Sequence, residues 1–308
     1  MSDLPLIDSH QHVFWHGRDD AGLVADMDAH NIEKAWLLTW EESAVEVNNV
    51  DMSVIDPRRN TLGSHSTMIP LTTIIDVCRR YPERFVPGYC PHPLDPQAVA
   101  KLAAAVDILG VRICGEWKFT LHIDDPRCLE IFRYAGSRGL PVVLHLDVPY
   151  LPPAGGTYVG ENMWKGGSID HLIRALELCP DTTFIGHAPG FWREMSGEAD
   201  SYPSVYLKPP LAPGGRLPGV FERHANLYAD LSAGSALRAL LADVDNAKAF
   251  ILRFADRLLF GRDYYGTELY DFLMSLNLPS DVWRKIGREN AERLLSAFKS
   301  APQRPLLK

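Results

Sequence analysis

Eight times along this chain a short apolar, β-rich run ends in polar residues and gives way to a stretch with helical spacing. The runs are Leu6–Val13, Ala35–Trp40, Phe85–Pro91, Gly110–Lys118, Pro141–Asp147, Thr183–Pro189, Leu227–Ala233 and Leu258–Tyr265. Between them, Asp19–Ile32 carries Leu23, Met27 and Ile32 at nearly helical spacing, with Asp19 or Asp20 placed to cap it. Asp125-Pro126 opens a second helix, with proline where its missing N–H is no loss. Ser235–Phe254 reads as a third, striped by Leu237, Leu240, Leu241 and Val244. Strand–helix units in this number favour one parallel sheet closed on itself. The expected fold class is therefore α/β, a single (β/α)₈ TIM barrel with 1–308 as one domain. An open doubly wound sheet is the structural alternative, but no GxGxxG follows the first strand.

Three connections are long: 41–70, 148–167 and 188–220. Each follows the C-terminal end of a strand, the end at which loops of such barrels build active sites, so they are candidate lid and specificity loops.

Composition narrows the function. A chain of 308 residues buries enough surface to fold without a structural ion, so any metal is read first as catalytic. The formal net charge of -8 argues against a nucleic-acid partner, which would call for clustered Lys and Arg. No apolar run approaches the roughly 20 residues that span a bilayer. The N-terminus lacks a basic segment ahead of an apolar one, so a cytoplasmic protein without a signal peptide is expected. Five cysteines with no CxxC pair suggest reduced, mostly buried thiols. A small-molecule substrate is the expected partner, with a homodimer as the commonest assembly.

The chemistry starts at Asp8-Ser9-His10-Gln11-His12 on the first strand. Strand side chains alternate, so Asp8, His10 and His12 are expected on one face, turned into the barrel. His145 ends the fifth strand, His187 the sixth and Asp263 the eighth. In a closed barrel these positions converge at one end of the axis. Three imidazoles (His10, His12, His145) with the Asp263 carboxylate suit one divalent ion, zinc first, with manganese, iron or cobalt as alternatives.

That order of His-x-His, His, His and Asp on strands one, five, six and eight resembles the amidohydrolase superfamily. The finer similarity is to its amidohydrolase-related branch, which holds aminocarboxymuconate-semialdehyde decarboxylase, resorcylate-type decarboxylases and some lactonases. Tyr81-Pro82-Glu83-Arg84-Phe85, Gly110-Val111-Arg112, Asp124-Asp125-Pro126, Gly139-Leu140-Pro141-Val142 and Asn290-Ala291-Glu292-Arg293-Leu294-Leu295 extend it over nearly the whole chain. The resemblance implies that His10, His12, His145 and Asp263 ligate metal, and that His187 polarises or protonates the substrate. Strand four departs from the binuclear relatives, which carry a carboxylated lysine there. Lys118 comes late, so Glu116 becomes a candidate substrate-contacting acid, and Arg112 an internal partner for a carboxylate such as Asp8. Lys118, Trp192, Arg193, Arg262 and Tyr264 are candidate substrate contacts, and His16 and His65 could reach the site from loops.

With these parts Asp263 would take a proton from water while His187 donates to the developing oxyanion. Hydrolysis of an amide, ester or lactone is the expected reaction, because the superfamily is mostly hydrolytic. Non-oxidative decarboxylation of a small aromatic or unsaturated acid is the alternative. A non-catalytic metal-binding barrel is the third reading.

Overall fold

A computed structural model describes residues 4–41, 69–148, 165–202 and 204–300. Its strands are β1 (Leu6–Gln11), β2 (Ile32–Leu37), β3 (Phe85–Pro87), β4 (Cys114–Trp117), β5 (Val142–His145), β6 (Phe184–His187), β7 (Leu227–Asp230) and β8 (Leu258–Leu259). Helices α1 (Asp20–Ala29), α2 (Leu71–Arg80), α3 (Ala98–Leu109), α4 (Pro126–Arg138) and α5 (Ile169–Leu178) alternate with the first six strands. After β6 come α6 (Pro189–Trp192) and α7 (Leu217–Arg223). Then α8 (Ala233–Leu241) and α9 (Val244–Phe254) separate β7 from β8, and α10 (Glu268–Ser275), α11 (Ser280–Arg284) and α12 (Asn290–Ser296) close the chain.

All ladders are parallel, in two runs, β1-β2-β3 and β4 to β8. Backbone bonds join the runs at both seams. Arg112 N donates to Pro87 O (3.0 Å) and Tyr89 N to Ile113 O (2.9 Å), linking β3 to β4. Ser9 N donates to Phe260 O (2.9 Å) and Asp263 N to His10 O (2.8 Å), linking β8 to β1. The sheet is thus a closed barrel, as expected. Ile7, Trp36, Leu38, Ile113, Val143, Ile185 and Leu259 fill its interior, while a larger apolar layer packs the helices outside.

Local chemistry explains the element boundaries. The Asp19 side chain accepts from Gly22 N at 2.9 Å and starts α1, and Asp125 does the same for α4 through Arg127 N, with Pro126 at the first helical position. Gly139, at φ 67, ends α4 in the left-handed conformation that costs glycine nothing; a Cβ there would lie 2.1 Å from Ala297 O. Two expectations need correction. The single helix over Ser235–Phe254 is two, because Asp243 takes an extended backbone and caps α9 through Asn246 N. The stretch predicted as Asp19–Ile32 stops at Ala29, and Ile32 begins β2. All five cysteines are free thiols. No described helix is long and apolar enough to cross a membrane.

Candidate active site

β1 does not keep a regular alternation. Three residue steps from Asp8 to Gln11 lie opposite two steps from Ala35 to Leu37, a bulge that shifts the side-chain parity by one. This corrects the shared face expected for Asp8, His10 and His12. Asp8 is turned to β8, where it accepts from Arg262 N (2.9 Å), Arg262 Nε (2.8 Å) and Gln11 Nε2 (3.0 Å). Arg262 Nη2 also pairs with Asp26 of α1 at 2.8 Å. Arg262, not Arg112, is therefore the Asp8 partner. Arg112 instead lies over the Phe298 ring and donates to Val111 O at 2.8 Å.

Past the bulge, His10 and His12 enter the barrel mouth, and each is held through Nδ1. His10 Nδ1 is 2.9 Å from Asp230 Oδ2, and His12 Nδ1 is 3.0 Å from Leu38 O. An acceptor at each Nδ1 fixes the proton there and leaves the Nε2 lone pair bare. His12 Nε2 lies 3.5 Å from Asp263 Oδ1 and 3.3 Å from Glu116 Oε2; His10 Nε2 lies 3.8 and 3.9 Å from the same two oxygens. His10 Nε2, Glu116 Oε2 and Asp263 Oδ1 are buried with no hydrogen-bond partner. Buried polar atoms are almost always paired. Bare electron-pair donors are what a cation needs, and His10, His12 and Asp263 offer ligand atoms within 4.8 Å of one another, as do His10, Glu116 and His187, so these residues fit a divalent ion.

Asp263 reaches this cluster from a left-handed backbone, φ 51, which costs a non-glycine residue roughly 1 kcal/mol or more. Trp15 Nε1 donates to its carbonyl at 3.0 Å and helps hold it. The Asp263 side chain is 16% exposed, and Asp147 24%, against 1% or less for His10, His12, Glu116 and His187. Solvent thus enters on the Asp263–Asp147 side.

His145 and His187 flank the cluster differently. His145 Nδ1 lies 2.6 Å from Glu116 Oε1 and its Nε2 2.9 Å from Asp147 Oδ1, so both ring nitrogens are engaged by carboxylates. His187 Nδ1 lies 2.9 Å from Asp230 Oδ1, and its Nε2 3.5 Å from Asp263 Oδ2. Burial disfavours the His187 imidazolium, but the Asp230 and Asp263 carboxylates outweigh it and lift its pKa to about 10. Burial likewise opposes ionisation of Asp263, yet His10, His187 and His12 hold it down at about 2. Glu116 is also kept well below the usual carboxylate range, as Lys118, His145 and His12 overcome its burial.

The other predicted contacts scatter. Lys118 Nζ sits 3.9 Å above the centre of the Trp40 ring, and Trp40 in turn packs edge-on to Trp15. Tyr264, half exposed, stacks edge-on against His16 at 4.7 Å. Trp192 is fully buried against Phe191 and Phe250, and Arg193 is buried with Nη2 on Tyr202 O. His65 and most of the first two long connections fall outside the described residues.

Asp230 escaped the sequence reading, together with Ser232, whose hydroxyl lies 2.9 Å from His187 Nδ1. The available signal was a carboxylate closing the otherwise apolar strand Leu227-Tyr228-Ala229.

The amidohydrolase family pattern matches residues 7–296. The chain belongs to the amidohydrolase family. A comparison with curated protein sequences gives no match. Among solved structures, the amidohydrolase chain resembles 5-carboxyvanillate decarboxylase from Sphingomonas paucimobilis, with a TM-score of 0.61 and 16% identity over 95% of this chain and 99% of that one. It also resembles a probable 2-pyrone-4,6-dicarboxylic acid hydrolase from Acinetobacter baumannii, with a TM-score of 0.58 and 13% identity over 95% and 100%. A third likeness is to dihydroxybenzoic acid decarboxylase from Polaromonas, solved with bound manganese, at a TM-score of 0.56 and 17% identity over 94% and 96%. The solved structures it resembles thus carry the names of both decarboxylases and a probable hydrolase.

Proposed function

We propose that this amidohydrolase is a metal-dependent hydrolase of an amide, ester or lactone bond in a small molecule. One observation carries the reading: His10, His12 and Asp263 offer ligand atoms within 4.8 Å of one another, and His10 Nε2 and Asp263 Oδ1 are buried without a hydrogen-bond partner, as is Glu116 Oε2, 3.3 Å from His12 Nε2. His10, His12 and Asp263 would hold the ion, with Glu116 as the fourth donor, and His145 would hold Glu116 rather than bind the ion itself. Imidazole and carboxylate donors suit zinc or manganese. A divalent ion in such a site supplies a water whose pKa falls to about 7.

The protein's own residues do the rest. Asp263, ionised and open to solvent through its 16% exposure, accepts the proton of the attacking water. His187, protonated and aimed by Asp230, donates from Nε2 to the carbonyl oxygen as it becomes negative. Asp263 Oδ2, 3.5 Å from that nitrogen, is near enough to pass the proton on to the leaving group.

Decarboxylation is the second reading, and a specific observation favours it. Lys118 over Trp40, beside Trp15, makes a cationic and aromatic wall that suits a planar carboxylate. In that reaction His187 or Asp263 would protonate the carbon that loses CO₂. The test is a panel of lactones, esters and hydroxybenzoates given to protein loaded with Zn²⁺ or Mn²⁺. Acid release without CO₂, abolished in Asp263→Asn, is the expected result. CO₂ release without hydrolysis would overturn hydrolysis in favour of the second reading. Turnover undiminished after chelation would sink both.

A further inference from the structure

We propose a second cation site, formed by His122, Asp124 and His171, for a transition ion of the Zn²⁺ or Ni²⁺ class. His122 and Asp124 lie in the connection from β4 to α4, and His171 in the first turn of α5. Each offers one ligand atom, and the three atoms lie within 4.8 Å of one another. The two imidazole rings stack with centroids 4.0 Å apart. The cluster shares no residue with the strand-end site.

The backbone brings these groups together. Ile123 N donates to Gly166 O at 3.1 Å, and Gly166 N to Phe119 O at 3.3 Å, so the connection is laced to the segment that leads into α5. Gly167, at φ 88, passes under both rings: a Cβ there would lie 2.8 Å from His171 Nδ1 and 3.1 Å from His122 Cδ2. Only a residue without a side chain lets the two imidazoles meet here.

Each ligand is oriented by a neighbour. Arg174 Nε holds Asp124 Oδ2 at 2.6 Å, which leaves Oδ1 for an ion. His171 Nδ1 lies 2.9 Å from Ser168 Oγ and 3.0 Å from Ser168 N. In the ion-bound form Nδ1–H donates to that hydroxyl, Nε2 keeps its lone pair, and the bond from Ser168 N is given up. Two imidazoles and one carboxylate select borderline transition ions over Mg²⁺ or Ca²⁺. An ion there would tie the connection after β4 to the start of α5.

The experiment is calorimetric titration of metal-free full-length protein with Zn²⁺, comparing wild type, His122→Gln and His10→Ala. His122 is exposed, so its substitution leaves folding intact. The expected result is two equivalents in wild type and one in each variant, with turnover unchanged in His122→Gln. One equivalent in wild type that persists in His122→Gln would overturn the second site. One equivalent in wild type that vanishes in His122→Gln would uphold it while removing the barrel-centre ion instead. His171→Ala should reproduce the His122→Gln titration; if it binds like wild type, the proposal fails.

Discussion

His145 Nδ1 and Glu116 Oε1 are 2.6 Å apart, so the fifth-strand histidine is bonded to a carboxylate of the cluster. A ring engaged at both nitrogens orients a ligand better than it acts as one. His145→Ala should therefore retain the ion with affinity reduced about 10–100-fold, the usual loss when a group supporting a metal ligand is removed. His10→Ala and His12→Ala should lose it. Metal content after dialysis against graded chelator distinguishes the two behaviours. Complete loss in His145→Ala, matching His10→Ala, would make His145 a ligand.

Asp230 links the two kinds of histidine. One oxygen faces His10 Nδ1 and the other His187 Nδ1, both at 2.9 Å, and the carboxylate is fully buried. In Asp230→Asn the amide can accept from one ring only, so either the His10 tautomer or the His187 charge is lost. We expect metal affinity to fall about 10–100-fold. Activity at saturating metal should fall by a further factor of about 100 or more, the contribution of a placed general acid. A variant that regains full turnover once metal is saturating would show that Asp230 serves His10 alone.

The fold was legible because periodicity alone distinguishes strand from helix, and the strand ends carried polar residues against apolar runs. His10, His12, His187 and Asp263 meet because a closed barrel brings its strand ends together. What stayed hidden depends on geometry that periodicity does not encode. The β1 bulge moved Asp8 to the opposite face and gave it Arg262, which no alternation rule predicts. The 2.6 Å contact between Glu116 and His145 stayed hidden too, because it depends on the register of neighbouring strands. Trp192 looks like a rim residue by position, yet the turn after β6 folds it into Phe250.

Gly186 tests the packing behind the site. It precedes His187 on β6, and a Cβ there would lie 2.1 Å from Phe191 Cε2 and 2.4 Å from its Cζ. Phe191 is fully buried and in contact with Trp192 and Phe221, so it has little room to move. Gly186→Ala should destabilise by about 1–3 kcal/mol, the usual cost of overpacking a core. Urea unfolding should show an earlier midpoint with an unchanged slope. A wild-type midpoint would mean that the Phe191 ring yields at no cost.

The buried His187–Asp230 pair should also shape the pH dependence of stability in the metal-free protein. His187 has a pKa of about 10 in the folded chain, against 6.5 for the free side chain. Between those values the folded state holds a proton that the unfolded state has released, so stability falls as pH rises. The slope is about 1.4 kcal/mol per pH unit for one proton. The stabilisation is complete below pH 6.5 and is lost as pH climbs through the folded value. Asp230 behaves oppositely. His187 and His10 overcome its burial and depress its pKa, so its contribution is present above the ordinary carboxylate range and is lost in acid. Chelated wild type and His187→Gln, unfolded in urea from pH 6 to pH 9.5, isolate the histidine by difference. The stability gap between them should narrow steadily over that range. A gap independent of pH would show that His187 is neutral in the folded, metal-free chain, and the donor role assigned to its Nε2 would then need another source for the proton.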